Sequence, residues 1–241
     1  MPRQTRRRSY DQYCAAARAL DAVGDRWTLL IVRELLAGPR RYTDLHADLP
    51  GVSTDVLASR LKDMERDGLA SRRRLPPPAA AYVYELTERG SQLLPVLTAL
   101  AQWGAPELAE RRPTDAVRAH WFAIPLLRAL EAPHGEGLDG ERLDGEGLDG
   151  ERVVEVRLDE GVFHVRVGAG VPAHGDGLAS AYGDGPAASP DARLTLDAET
   201  CRAVSSGELT LGEGVRSGRI AVEGVLPLGA GAVPAAAVSP L

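Results

Sequence analysis

Short hydrogen-bonding side chains and cations are concentrated between residues 51 and 74, in the stretch GVSTDVLASRLKDMERDGL and the arginines that follow it. The short polar side chains belong to Ser53, Thr54, Asp55 and Ser59. The cations are Arg60, Lys62, Arg72, Arg73 and Arg74. On the outer face of a helix, short polar groups can hydrogen-bond to base edges in the major groove of DNA, and cations can neutralise its phosphates. Taken alone, however, such a face is also typical of a helix that merely contacts water.

The helix that would hold these side chains has clear start and stop signals. Ser53 is a favourable N-cap, an acidic residue in the first turn suits the helix dipole, and Gly68 ends the helix. Three apolar residues recur at helical spacing and must face a core, namely Leu57, Leu61 and Met64. The opposite side carries Asp55, Ser59, Lys62 and Arg66, with Thr54 and Arg60 at its edges. Arg60 could therefore either contact DNA or form an ion pair within the domain.

The neighbouring elements place this helix in a larger arrangement. Two helices are predicted to end at Gly24 and Gly38, and a third, short helix must end at Pro50-Gly51. After the fourth helix, LASRRRL and YVYEL predict two strands joined by PPPAAA, and ERGSQLLPVLTALAQWG predicts one long helix. The apolar face of that helix would include Leu93, Leu94, Leu97, Leu100 and Trp103. This order of elements is that of a winged helix, in which residues 53–66 are expected to bind DNA.

The pattern changes from residue 113 onwards. TDAVRAHWFAIPLLRAL predicts an amphipathic helix, and a five-residue acidic, Gly-rich repeat over residues 135–152 predicts a disordered loop. RVVEVRLDEGVFHVRVG predicts a hairpin that turns at Glu160-Gly161, followed by a loop as far as Pro190. DARLTLD, AETCRAVSSGEL, GEGVRSG and RIAVEG then predict a strand, two helices and a last strand. The tail has no helical periodicity and is predicted to be flexible.

Charge is distributed unevenly along the chain. The net charge is −6, but residues 1–112 hold 18 Arg and Lys against 14 Asp and Glu, a net of +4, whereas residues 113–241 have a net of −10. A basic first half suits a polyanion. Arg3, Arg6, Arg7 and Arg8 could follow the DNA backbone as an arm, or form a merely soluble terminus. No apolar run is long enough for a membrane helix, and no secretory signal is evident, so a cytoplasmic location is expected.

Residues capable of catalysis or metal binding are scarce. The two cysteines, Cys14 and Cys201, are far apart, so a disulfide framework or a structural zinc site is not expected. The five histidines do not cluster, and no nucleophile–base pair or phosphate-binding loop is evident. We therefore expect no enzyme activity, no metal and no cofactor. Cys14 begins the first helix, where the dipole can lower a thiol pKa, but a small buried residue is the favoured interpretation. Cys201 is expected in a core.

The first half of the chain resembles the HxlR-type winged-helix transcriptional regulators. The resemblance is carried by Cys14, ALDAVGDRWTLLIVRELLAGPRRYTDL, LPGVSTDVLASRLKDMERDGLASRR and YELTERGSQLLPVLTALAQWG. It implies a homodimer joined by its terminal helices, with residues 53–66 in the major groove and Arg41 and Thr43 among the DNA contacts. In some such proteins the N-terminal cysteine senses oxidants or electrophiles. This chain departs from the family at Asp55, where a basic or amide residue is frequent, and at the wing tip, which is not basic.

The second half resembles a sterol-carrier-protein type-2-like domain, through the hairpin and DARLTLDAETCRAVSSGELTLGEGVRSGRIAVEG. That family encloses an apolar tunnel, although its terminal helix is not evident here. Residues expected in the core, some of which could line a ligand cavity, are Trp121, Phe122, Val154, Val156, Phe163, Val165, Leu194 and Leu196. As candidate ligand-binding residues we select Trp121, Phe122, Phe163 and Val165.

The predicted fold class is α+β. The predicted domains are a winged helix over residues 1–112, a sterol-carrier-like domain over 113–228 and a flexible tail over 229–241. The predicted function is a homodimeric regulator, a repressor rather than an activator, that binds a palindromic double-stranded DNA operator and responds to an apolar small molecule. Two alternatives are a lipid-like ligand carrier that uses the winged helix only to dimerise, and a redox-sensing repressor acting through Cys14.

Overall fold

The structure, a computed structural model, describes residues 9–131, 151–168, 180–224 and 226. The chain divides into two compact units, the first formed by residues 1–35 and 39–93 and the second by residues 36–38 and 94–241. The division falls before the predicted domain boundary at residue 112, because the helix that starts at Leu94 packs against the next helix of the second unit. The predicted N-terminal arm, the acidic repeat up to residue 150 and the tail 229–241 lie outside the described residues.

The first unit contains the predicted order of helices and strands. Its helices are α1 (Ala15–Val23), α2 (Thr28–Leu36), α3 (Tyr42–Asp48), α4 (Thr54–Arg66) and α5 (Glu88–Ser91). Its strands are β1 (Arg40–Arg41), β2 (Ala70–Arg74) and β3 (Tyr82–Leu86). The ribbon of β2 and β3 is confirmed, but the prediction of only two strands was wrong, since β1 pairs with the free edge of β3. Two arginines have no alternating pattern, so sequence gave no signal for β1.

The predicted long helix after the wing is two helices. After α5 ends at Ser91, a new helix, α6, runs over Leu94–Gly104. Pro95 explains the break, because proline has no N–H to donate to a preceding turn and is tolerated only near the start of a helix. Leu94 and Leu97 are buried, whereas Leu100 is 44% exposed and Trp103 is 82% exposed. The predicted apolar face of this helix is thus only partly covered within the chain.

The second unit is a mixed five-stranded sheet with helices, in agreement with the predicted α+β content. Its strands are β4 (Arg152–Leu158), β5 (Gly161–Val167), β6 (Tyr182–Asp184), β7 (Ala192–Thr195) and β8 (Ala221–Gly224). Its further helices are α7 (Ala123–Glu131), α8 (Ala198–Ser206) and α9 (Leu211–Arg216). The strand order is β6-β5-β4-β7-β8, with β4 and β7 parallel and the other pairs antiparallel. None of the described helices in either unit is long and apolar enough to cross a membrane.

Three local predictions in this unit were wrong. The amphipathic helix predicted from residue 114 begins at Ala123, after a short 3-10 turn over Ala119–Phe122, which places Pro125 in the first turn of α7. The hairpin turns at Asp159 and Glu160, one residue earlier than predicted, because Gly161 already pairs with Leu158. The loop predicted to reach Pro190 contains β6, a strand too short to show an alternating pattern.

The core of the second unit lies between one face of the sheet and its helices. The predicted core residues Val154, Val156, Phe163, Val165 and Leu194 have no exposed surface, and Leu196 is also buried. Trp121 and Phe122 are half-buried, so the prediction of core positions for these two was wrong, as both lie in the 3-10 turn at the edge of the core. Cys201 is buried as predicted, and burial raises the pKa of its thiol to about 12.

The other face of the sheet holds a buried carboxylate. Glu155 on β4 accepts hydrogen bonds from Arg157 Nε, at 2.9 Å, and from the backbone amide of Ala187, at 3.0 Å. Arg193 Nε on β7 lies 3.3 Å from the same carboxylate. Burial by itself raises the pKa of Glu155, but the hydrogen bonds and the two guanidinium charges outweigh it and hold the pKa below its ordinary value of 4.5. This group of charges ties β4, β7 and the segment after β6 together.

Candidate DNA-binding surface

Helix α4 is held by its N-cap and by one buried stripe. Ser53 Oγ accepts a hydrogen bond from the backbone N–H of Val56 at 3.4 Å, as the N-cap prediction requires. Leu57, Leu61 and Met64 are all at most 2% exposed, so the predicted stripe is confirmed. This stripe fixes which face of the helix is left for solvent.

Tyr42 adds a contact that sequence reasoning missed. Its hydroxyl, on α3, donates a hydrogen bond of 2.8 Å to the backbone carbonyl of Thr54 in the first turn of α4. The ring of His46 stacks beside Tyr42, with centroids 6.4 Å apart. The short helix α3 therefore orients the start of α4, and only the three-dimensional arrangement could reveal this because the partner is a backbone atom.

The outward face of α4 presents the predicted polar side chains. Thr54, Asp55, Ser59, Lys62 and Arg66 are all exposed, and Ser53 is exposed at the helix start. Val56, which sequence reasoning did not select, is 39% exposed on the same helix. It lies outside the buried stripe, which is the signal that could have identified it. An exposed apolar side chain beside short polar ones suits contact with a thymine methyl group.

The cations of α4 differ in their pairing. Arg60 forms ion pairs with Asp25, at 2.6 Å, and with Asp63, at 2.5 Å, so of its two predicted interpretations the structure adopts the internal ion pair. Arg66 Nη1 donates to Asp63 at 2.6 Å, and this hydrogen bond raises the pKa of Arg66. Lys62 is exposed, and within the described residues it has no ion pair. Lys62 is therefore the α4 cation best placed to meet an external anion.

The wing arginines also differ from one another. Arg73 on β2 makes a bidentate pair with Glu85 on β3, with N–O distances of 2.9 to 3.0 Å, and the hydrogen bond to Glu85 raises the pKa of Arg73. The guanidinium of Arg72 lies 4.0 Å from the ring centroid of Tyr82. Arg74 is exposed. Arg72 and Arg74 can thus offer charge to a ligand, whereas the charge of Arg73 is already balanced across the ribbon.

The other predicted contacts lie around the start of α3. Arg41 is exposed immediately before α3, and its backbone N–H donates to Asp44 at 3.3 Å. Thr43 is exposed within the first turn, and its hydroxyl donates to Asp44 at 3.2 Å. Asp44 therefore caps this helix and engages both residues, which remain at the surface of the first unit.

The position of Cys14 corrects a prediction. Cys14 is the N-cap residue of α1 and is exposed, so the interpretation as a small buried residue was wrong. The helix continues away from this residue with Ala17 as its first buried position, which leaves the cap outside the core. The two cysteines thus lie in opposite environments.

This difference predicts the reactivity of the two thiols. With excess iodoacetamide at pH 8, we expect one cysteine per chain to be alkylated rapidly and the second only after unfolding, because thiolate is the reactive form and Cys201 is both buried and protonated. Mass spectrometry of the intact protein, with and without urea, measures this. A Cys14→Ser variant should lose the rapid phase, and rapid labelling of that variant would contradict the expectation.

Comparisons with known proteins place this surface in a family. The HxlR-like helix-turn-helix family model matches residues 22–112. The chain is 37% identical over 86 residues to the uncharacterized HTH-type transcriptional regulator YvaP of Bacillus subtilis, covering 36% of this chain and 80% of that protein. It is 34% identical over 85 residues to the HTH-type transcriptional regulator YodB of the same organism, covering 35% and 76%.

Solved structures are similar over the same portion of the chain. The reduced form of YodB from B. subtilis is 32% identical, with a TM-score of 0.36, and the match covers 43% of this chain and all of that one. The relatives are regulators of transcription and not enzymes, in agreement with the expectation from the sequence. The extent and identity of the match to YvaP decide the assignment. This chain belongs to the HxlR-like helix-turn-helix family of transcriptional regulators.

Proposed function

We propose that the protein is a homodimeric regulator that binds an approximately palindromic DNA operator by inserting α4 into the major groove. The observation that carries this proposal is the division of α4 into a buried apolar stripe and an exposed face of short polar side chains with Lys62. A helix of this kind fits the major groove, where short side chains reach base edges and cations reach phosphates. Two copies in a dimer would contact half-sites about one helical turn apart.

Exposed apolar surface supports a second copy as the partner. Val96, Leu100 and Trp103 follow one another at helical spacing on α6, and all three are more than 40% exposed. Tyr13 and Leu20 are also exposed, at the start and on the surface of α1. Contiguous exposed apolar side chains mark interaction sites, and the resemblance implies dimerisation through the terminal helices. We therefore propose that these side chains are covered by the second subunit.

The dimer is tested by placing a charge in the apolar stripe. We expect Leu100→Glu to shift the protein from dimer to monomer in sedimentation velocity, since a carboxylate would be desolvated in the interface. Gln102→Glu introduces the same charge on the opposite side of α6 and should leave the dimer intact. If Leu100→Glu sediments as wild type does, α6 is not in the interface.

The DNA contacts are tested with a duplex selected by the wild-type protein from a randomised library. Replacing Lys62 with Ala should weaken binding to the selected and to a scrambled duplex alike, and should flatten the salt dependence by about one unit per lost phosphate contact. Replacing Thr54 or Ser59 with Ala should cost about 1–3 kcal/mol on the selected duplex and little on the scrambled one. Fluorescence anisotropy at several salt concentrations measures both. Selection of no sequence, or variants that all bind as wild type does, would contradict the assignment.

The second unit is proposed to bind an apolar effector, as its resemblance to sterol-carrier-like domains implies. Phe163 and Val165 have no exposed surface, so a ligand could reach them only from inside the unit, whereas Trp121 and Phe122 are partly accessible. Native mass spectrometry of the purified protein tests for a bound apolar molecule. If that molecule alters operator affinity, it must favour one dimer state over another. A bound lipid together with no DNA binding would instead favour the carrier alternative.

A redox-sensing repressor is the second candidate function, favoured by the exposed thiol of Cys14 at the start of α1. In that case diamide should lower the affinity of the wild type for the selected duplex, and Cys14→Ser should remove the response. An unchanged response in Cys14→Ser would exclude this residue as the sensor.

A further inference from the structure

A continuous line of ion pairs runs from the body of the first unit to the outward face of α4. Asp25, in the connection between α1 and α2, pairs with Arg60, which also pairs with Asp63. The second oxygen of Asp63 accepts from Arg66, and Arg66 Nε lies 3.4 Å from Asp67. Three of these carboxylates and two guanidinium groups thus form one network, which we call the α4 clamp.

The position of Arg60 on the helix explains how it can join both ends of the α4 clamp. At 100° per residue, Arg60 lies on the flank of α4, between the buried stripe of Leu57 and Leu61 and the outward face that carries Ser59. From this flank its guanidinium reaches back to Asp25, which is 35 residues earlier in the chain, and along the helix to Asp63. Its side chain is only 24% exposed, compared with 60% for Arg66.

The geometry of the α4 clamp makes it more than a typical surface ion pair. Isolated exposed pairs contribute little to stability, but networks with well-formed guanidinium geometry are the exception. Arg60 uses two nitrogens of one planar group for two different carboxylates, which a lysine, as a single point charge, cannot reproduce. The connection fixes the rotation of α4 about its axis relative to the rest of the first unit, and it uses the charge of Arg60 inside the protein.

We propose that Asp25 and Arg60 are specificity-determining residues that position the outward face of α4, rather than phosphate contacts. This inference rests on the proposed function, because it assigns the residues that orient the DNA-reading face. A base contact depends on placing short side chains within hydrogen-bond distance, so a small rotation of α4 would weaken binding to the cognate sequence. Binding to any other sequence depends on phosphates and tolerates that rotation.

The experiment compares full-length variants on the duplex selected by the wild type and on a scrambled duplex of equal composition. The readouts are the ratio of the two dissociation constants and the slope of log affinity against log salt. Asp25→Asn, Arg60→Gln and Arg60→Lys should each lower the ratio about tenfold, a 1.4 kcal/mol change within the range known for coupled contacts. The salt slope of Arg60→Gln should stay at the wild-type value, unlike that of Lys62→Ala. The double variant Asp25→Asn/Arg60→Gln should lose no more specificity than either single variant.

Two controls separate positioning from charge and from folding. Glu88→Gln removes one exposed negative charge from the first unit outside the α4 clamp and should leave the ratio unchanged. Partial unfolding lowers the active fraction for both duplexes equally, so it cannot change the ratio, and thermal melting of each variant measures its extent.

The outcomes distinguish the possibilities. If Arg60→Lys keeps wild-type affinity and ratio while Arg60→Gln flattens the salt slope as Lys62→Ala does, Arg60 is a phosphate contact and the inference is overturned. It is also overturned if Asp25→Asn behaves like Glu88→Gln. The proposed function itself fails separately, when the wild type selects no sequence or Thr54→Ala leaves the ratio unchanged.

Discussion

Replacing Leu57 with Ala is expected to destabilise the first unit by about 2–5 kcal/mol and to abolish operator binding. Leu57 has no exposed surface and lies at the centre of the stripe that attaches α4 to the core. Truncation removes buried methyl groups and leaves a cavity beneath the helix that carries the predicted base contacts. Because a domain has only about 5–15 kcal/mol of stability in total, the loss is large. Amide hydrogen exchange in α2 and α4 measures the change for this unit alone.

Leu57→Met is the matched control for this prediction. It conserves side-chain volume and apolar character, so it should cost less than about 1.5 kcal/mol and should retain DNA binding. Exchange rates in α4 that are identical for Leu57→Ala and wild type would mean that the stripe does not support the helix.

Replacing Glu155 with Gln is expected to destabilise the second unit by about 2–3 kcal/mol at pH 7. The substitution keeps the shape of the side chain but removes a buried charge that accepts hydrogen bonds from Arg157 and from the amide of Ala187. The loss is smaller than for a fully buried ion pair, because Arg157 and Arg193 are 50% and 40% exposed and can regain water. Urea denaturation, combined with hydrogen exchange of β4 and β5 amides, measures it.

The same substitution should respond to pH in a defined direction. The folded pKa of Glu155 is below its ordinary value of 4.5, so its contribution to stability is fully present above that value and is lost as the pH falls through the folded pKa. The difference between wild type and Glu155→Gln should therefore be largest near neutral pH and should shrink below pH 4.5. Glu223→Gln, at an exposed acidic residue of β8, is the control and should show little change at any pH. A constant difference down to pH 3 would contradict the assignment of the lowered pKa to Glu155.

Sequence by itself determined those features whose cause lies within a few residues. The stripe of Leu57, Leu61 and Met64 follows from helical periodicity, and the N-cap at Ser53 follows from local hydrogen bonding, so α4 was predicted with its start and its exposed face correct. The family resemblance likewise depends on residues in order along the chain. Misplaced elements lay where a local signal was weak or broken, as at Pro95, where a single predicted helix is two.

The tertiary structure alone decided which charges are available to a ligand. Sequence offered Arg60, Lys62 and Arg73 as equivalent cations, but Arg60 is engaged by Asp25 and Arg73 by Glu85, both distant along the chain. It also decided that Glu155 is buried beside two arginines, and that a two-residue strand completes the wing sheet. The physical reason is common to all of these cases. An ion pair or a strand partner is set by distance in space, and residue type and spacing do not specify that distance until the chain has folded.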